Sequence, residues 1–101
     1  MDEKKVQKIE VKIEEKDSGG IFSNVLFVHV NDSEFVLDFG FLQPQEPKAK
    51  IVGRVITTPA HAKRFLMTLE NSIKKFEENF GKINIEKKNI TIPPIKGGSV
   101  N

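Results

Sequence analysis

Apolar and polar positions alternate in the first half of the chain, then switch to a spacing of three and four. Across residues 6–15, VQKIEVKIEE, Ile9, Val11 and Ile13 fall on one side and Lys8, Glu10, Lys12 and Glu14 on the other. Successive side chains of a strand point to opposite faces, so this period of two predicts a half-buried strand with a charged, solvent-facing side. Asp17, Ser18, Gly19 and Gly20 then predict a loop. Residues 24–30, NVLFVHV, are apolar on both faces, as in a strand covered on two sides. After Asn31, Asp32 and Ser33 comes EFVLDFGFL at 34–42. It carries Phe35, Leu37, Phe39 and Phe41 on one face, with Glu34, Val36, Asp38 and Gly40 on the other. The short turn between the two runs predicts a hairpin. QPQEP at 43–47 breaks the pattern, and AKIVGRVIT at 49–57 predicts a fourth strand. The alternation puts Ile51 and Val55 on one face of it and Val52, Arg54 and Ile56 on the other.

The period then changes. Ala62, Phe65, Leu66, Leu69, Ile73, Phe76 and Phe80 recur at threes and fours, the signature of one helical face. Thr58 fits the N-cap and Pro59 the first helical position, where a missing N–H costs nothing. Gly81 is a natural stop. The pattern predicts a helix over about 59–80, roughly 33 Å long. The summed elements read as α+β: a four-stranded antiparallel sheet followed by one long amphipathic helix packed on one sheet face. Phe35, Phe39 and Phe41 would meet Phe65, Leu69, Ile73 and Phe76 across that contact. Residues 1–81 form the single domain in this reading, and 82–101 a tail, partly extended or mobile, interrupted by Pro93, Pro94, Gly97 and Gly98.

Composition narrows the class. At 101 residues, 38% apolar and 30% charged, the chain suits one globular domain. With no cysteine it has no disulfide, thiolate metal site or cysteine nucleophile. A net charge of +2 is far from the strongly basic balance of a nucleic-acid binder. The charged start MDEKKVQKIE and the lack of a long apolar run predict a soluble cytoplasmic protein that neither enters a membrane nor binds nucleic acid.

EFVLDFG at 34–40 and ITTPAHAKRFLMTLENSIKKFEENFG at 56–81 resemble a bacterial and archaeal family of small domains of unknown function. Its members carry E-F-x-L-D-F, then an (S/T)-P-x-H-A-K-R helix ending near Y-E and F-G. Phe76 stands here where the family has tyrosine, before Glu77. The resemblance spans about residues 22–81 and implies no catalytic residue. The order of sheet then long helix is also similar, at the level of fold, to the subunit of the SecB export chaperone, whose sheets assemble into a tetramer with apolar grooves.

Candidate chemistry is sparse. His61, Lys63 and Arg64 gather at the helix start, where free N–H groups and the positive dipole end favour anions. The competing reading is an ordinary capped turn. Asp38 and Arg54 lie on strands that can pair, and fit an ion pair that locks register. His29 sits among apolar residues, and no spacing suggests a metal site or a cofactor. No catalytic residue is assigned.

The apolar residues on both sheet faces, including Val28, Val30, Val36, Val52 and Ile56, predict a homo-oligomer, a dimer or a tetramer. The function read from this is a non-enzymatic protein- or peptide-binding domain, chaperone-like. The alternative is a small-anion-binding or enzymatic module at the junction of the fourth strand and the helix.

Overall fold

A computed structural model describes residues 7–86. Strands β1 (Val25–Val30), β2 (Phe35–Leu42) and β3 (Ala49–Thr57) form one antiparallel sheet in the order β1-β2-β3, and helix α1 (Pro59–Phe80) follows. The fold is α+β, with three strands rather than the four expected. Residues 7–14 hold no strand, and the chain enters a short 3-10 turn at Glu15–Asp17 before Gly20, which takes the left-handed φ of 76°. The alternation of Ile9, Val11 and Ile13 specifies which side chains share a face. It does not supply the neighbouring edge that turns an extended segment into a strand, and all three side chains are exposed.

Side chains close both ends of the first hairpin. Asn31 Oδ1 accepts from the backbone N–H of Ser33 and of Glu34, each at 2.8 Å, the Asx turn that asparagine favours. At the other end Asn24 copies a backbone residue: its Nδ2 donates to the Leu42 carbonyl at 3.0 Å and its Oδ1 accepts from Leu42 N at 2.7 Å. In the second hairpin the register shifts, with Phe39 opposite Gly53 and Gly40 opposite Ile51. Val52 is the extra residue of a β-bulge. The bulge reverses the alternation, so Ile51 shares a face with Arg54 and Ile56, and not with Val55 as strict period two implied. Gly40 is required beside it. A Cβ there would sit 3.0 Å from Val25 Cγ1 and 3.1 Å from the Lys50 carbonyl oxygen.

The pairing sorts the sheet into two faces. Val25, Phe27 and His29 of β1 lie with Val36, Asp38 and Gly40 of β2 and with Ile51, Arg54 and Ile56 of β3. Leu26, Val28 and Val30 lie with Phe35, Leu37, Phe39 and Val55 on the opposite face.

Helix α1 begins as expected, at Thr58 and Pro59, but does not lie across its own sheet. No residue of it is buried, and Phe65, Leu66, Leu69, Ile73, Phe76 and Phe80 are exposed. The extensive packing in the chain is strand on strand. The expected stacking of the Phe35, Phe39 and Phe41 face on the helix is therefore absent within one chain. Phe41 instead meets Phe22 edge-on at 6.0 Å, and Phe76 meets Phe80 at 5.0 Å.

The physical reason is the connection. A single residue, Thr58, separates β3 from α1 and stays extended at φ −84°, ψ 158°. Connections between strands and helices that fold back on each other run about two to six residues. With one, there is little chain to turn the helix back, and α1 makes no extensive contact with any strand.

The core of the single chain is correspondingly small. Leu37, at 9% exposure, is the one buried apolar side chain among the described residues, and its neighbour Asp38 is fully buried. Past the helix, Ile83 N donates to Glu77 Oε2 at 3.0 Å and residues 82–86 run irregular and exposed. Most of the expected tail, residues 87–101, lies outside the described residues.

Candidate functional site

Among the described residues, the most constrained polar group is Asp38. It is on the central strand, opposite Phe27 of β1 and Arg54 of β3. A short side chain with a neighbour on both sides loses its water, and Asp38 is 0% exposed. Arg54 answers the charge with a two-pronged contact: Nε donates to Oδ1 at 2.6 Å and Nη2 to Oδ2 at 2.8 Å. Such paired, charge-assisted bonds are the strong kind. The guanidinium keeps 37% of its side chain exposed, so the pair has one buried partner and one that reaches solvent.

His29 approaches the same carboxylate diagonally, from the neighbouring strand. Its Nε2 lies 3.8 Å from Asp38 Oδ2, beyond hydrogen-bond range, and has no hydrogen-bond partner although that atom is buried. His29 belongs with Asp38 because β1 pairs with β2 so that Phe27 and Asp38 are opposite, one pleat away on the same face. Periodicity could place His29 on a face. It could not place that face against Asp38 without the length of the Asn31–Glu34 turn.

The electrostatics follow from this geometry. The Arg54 hydrogen bonds hold the Asp38 carboxyl below its ordinary range, against the opposing cost of burial, with further help from the charges of Arg54 and His29. Asp38 in turn raises Arg54 further above its already high value. A carboxylate with both oxygens engaged and its proton affinity reduced is a poor general acid and a poor base. Its fitting role is structural. A slip of one residue between β2 and β3 would carry Asp38 away from Arg54 and leave a buried charge alone, so the pair penalises every register but one.

The residues proposed for an anion site lie elsewhere. Thr58 caps the helix itself, its Oγ1 accepting from His61 N at 3.1 Å, and the Thr58 carbonyl accepts from Ala62 N at 2.9 Å. His61, Lys63 and Arg64 are exposed on the first turns, and no polar contact draws their side chains together. Thr58→Ala removes the cap and is expected to cost about 1 kcal/mol, visible as a lower urea midpoint with an unchanged m-value. Among the described residues no group of His, Asp and Glu is placed to hold a metal ion, and no helix is long and apolar enough to cross a membrane.

The five apolar residues expected at an oligomer contact divide between the two faces. Val28 and Val30 are exposed on the face of Leu37. Val36, half-buried, and Ile56, exposed, flank the ion pair on the other, and Val52 sits in the bulge.

No curated protein and no solved structure matches the chain. A family model does. Described as "Protein of unknown function (DUF3467)", it covers residues 1–85, so the N-terminal stretch expected to fall outside the resemblance lies within it. With that match running from before the sheet to past the helix, the chain belongs to this family of unknown function.

Proposed function

We propose that this chain is a non-enzymatic assembly domain that works as a homo-oligomer and, once assembled, binds protein. One observation carries the reading. The single chain leaves two complementary apolar surfaces uncovered: the helix face from Phe65 to Phe80 and the sheet face of Leu26, Val28, Val30 and Val55. Contiguous apolar surface on this scale marks an interaction site. A domain whose buried apolar core is Leu37 gains too little from burial to offset the entropy of ordering its backbone. A second copy brings the missing half of the core.

Binding of other proteins follows from what pairing leaves open. In the described sheet β1 and β3 are both edges, and unpaired backbone groups there can accept an extended segment as an added strand. Sheet followed by long helix is also the order of the SecB chaperone subunit, which supports a chaperone-like use. That likeness stops at three strands against four.

Light scattering coupled to size exclusion tests the reading at micromolar concentration. The expected mass is two or four times 11.4 kDa. A clean single-chain mass overturns it.

A further inference from the structure

We propose that two copies exchange helices, each α1 seating on the partner's sheet at the face formed by Leu26, Val28, Val30, Leu37 and Val55. This rests on the self-association proposed above and adds which surfaces meet.

The connection comes first. Thr58 alone joins β3 to α1, and α1 makes no extensive contact with any strand of its own sheet, so its apolar stripe is left uncovered. Symmetry comes next. Each chain offers one unpartnered helix face and one unpartnered sheet face. Helix against helix leaves the sheet bare, and sheet against sheet leaves the helix bare. Reciprocal exchange about a two-fold axis covers both with two copies and closes the assembly.

The two sheet faces are not equivalent as seats. One has Asp38, Arg54 and His29 at its centre, and an apolar helix laid there would strip water from the half-exposed guanidinium. The other pairs Leu26 with Phe39, Val28 with Leu37, and Leu37 with Val55, with no charged residue in these positions. Lys50 shares that face only at its far end, opposite Phe41.

The dimensions agree. The eight residues of β2 span about 27 Å, and the 22 residues of α1 about 33 Å. The exposed parts of Phe65, Leu66, Leu69, Ile73, Phe76 and Phe80, with those of the sheet face, amount to roughly 900 Å² per chain at about 150–200 Å² per side chain. A standard stable interface uses about 800 Å² per partner.

The chain has no cysteine, which makes a crosslinking test clean. Val28→Cys carrying a mass tag is mixed and re-equilibrated with untagged Leu69→Cys, then treated with a short bismaleimide. Ile56→Cys replaces Val28→Cys as the probe of the opposite face. The expected result is a product of intermediate mass from the Val28 and Leu69 variants, at least tenfold more abundant than that from the Ile56 and Leu69 variants. An oligomer in which Ile56→Cys gives the stronger product overturns the choice of face. An oligomer in which neither variant links to Leu69→Cys overturns helix exchange and leaves self-association standing. A single-chain mass for the unmodified protein overturns self-association and the exchange with it. Should a variant fail to fold, the unmodified chain mixed from differently isotope-labelled batches answers instead: contacts between Val28 methyls and the Leu69 side chain must appear across chains, and their absence from an oligomer counts against the exchange.

Discussion

Arg54→Ala lowers the melting temperature by on the order of 10 °C, measured at fixed protein concentration, and Asp38→Asn lowers it by less. The asymmetry comes from burial. Removing Arg54 strands a fully buried carboxylate whose two oxygens lose both donors. Removing the charge of Asp38 leaves a guanidinium that already keeps 37% of its side chain exposed and can turn to water. The double replacement Asp38→Leu with Arg54→Met is expected to recover most of the loss, because no buried charge remains to be compensated. If Asp38→Asn proves the more damaging single change, the carboxylate has a role other than partner to Arg54.

The same pair makes an acid-sensitive contribution. Its folded-state proton affinity is depressed relative to the ordinary aspartate value of 3.8. The unfolded chain therefore binds the proton more readily. The stabilisation is complete above pH 3.8 and is lost as pH falls through the lower folded value. Thermal scans between pH 5 and pH 2 should show this loss in the natural chain. Asp38→Asn should show a shallower decline, the two converging at the acid end.

The second large effect belongs to the helix. Leu69→Glu is expected to convert the oligomer to single chains, with an association at least about 100-fold weaker, because it places an unpaired carboxylate in a dry contact. Glutamate is nearly as good a helix former as leucine, so any loss of helix measured by circular dichroism reports the lost partner and not the changed propensity. Most of a helix's stability in a protein comes from packing of its apolar face rather than from propensity, so helicity should fall with the mass. Lys74→Gln, on the polar face, should leave both unchanged. Sedimentation velocity across a hundredfold range of concentration separates these outcomes. A Leu69→Glu variant that keeps the mass and helicity of the parent rules the helix face out as the contact.

Much of the chain was legible one element at a time. Strands β2 and β3 and the helix fall where the periods of two and of three to four placed them, and β1 falls on the continuous apolar run, although its Leu26, Val28 and Val30 side is exposed and not covered as expected. Thr58, Pro59 and Gly81 mark the helix ends for the local reasons that make such residues good boundaries. The likelihood of a meeting between Asp38 and Arg54 was readable from their places on adjacent strands. What local pattern could not count was the extra residue at Val52. That bulge moves Ile51 onto the face of Arg54, while the pairing of β1 with β2 is what puts Val28 and Val30 on the opposite side of the sheet from Val36 and Ile56. His29 was likewise missed as a neighbour of Asp38, because a diagonal contact depends on turn length as well as on period.

By itself, then, the sequence determined which side chains share a face wherever a strand runs without a bulge, where the helix starts and stops, and that apolar residues lie on both sides of the sheet as well as along the helix. Those are consequences of short-range geometry, in which each residue is placed by its immediate neighbours. The tertiary structure alone decided three other matters: that residues 7–14 pair with no strand among the described residues, that α1 does not pack on its own sheet, and that Asp38 loses all contact with water between two flanking strands. Each depends on where separate segments lie relative to one another, and an alternating or helical pattern is the same whether the surface that covers it comes from the same chain or from another.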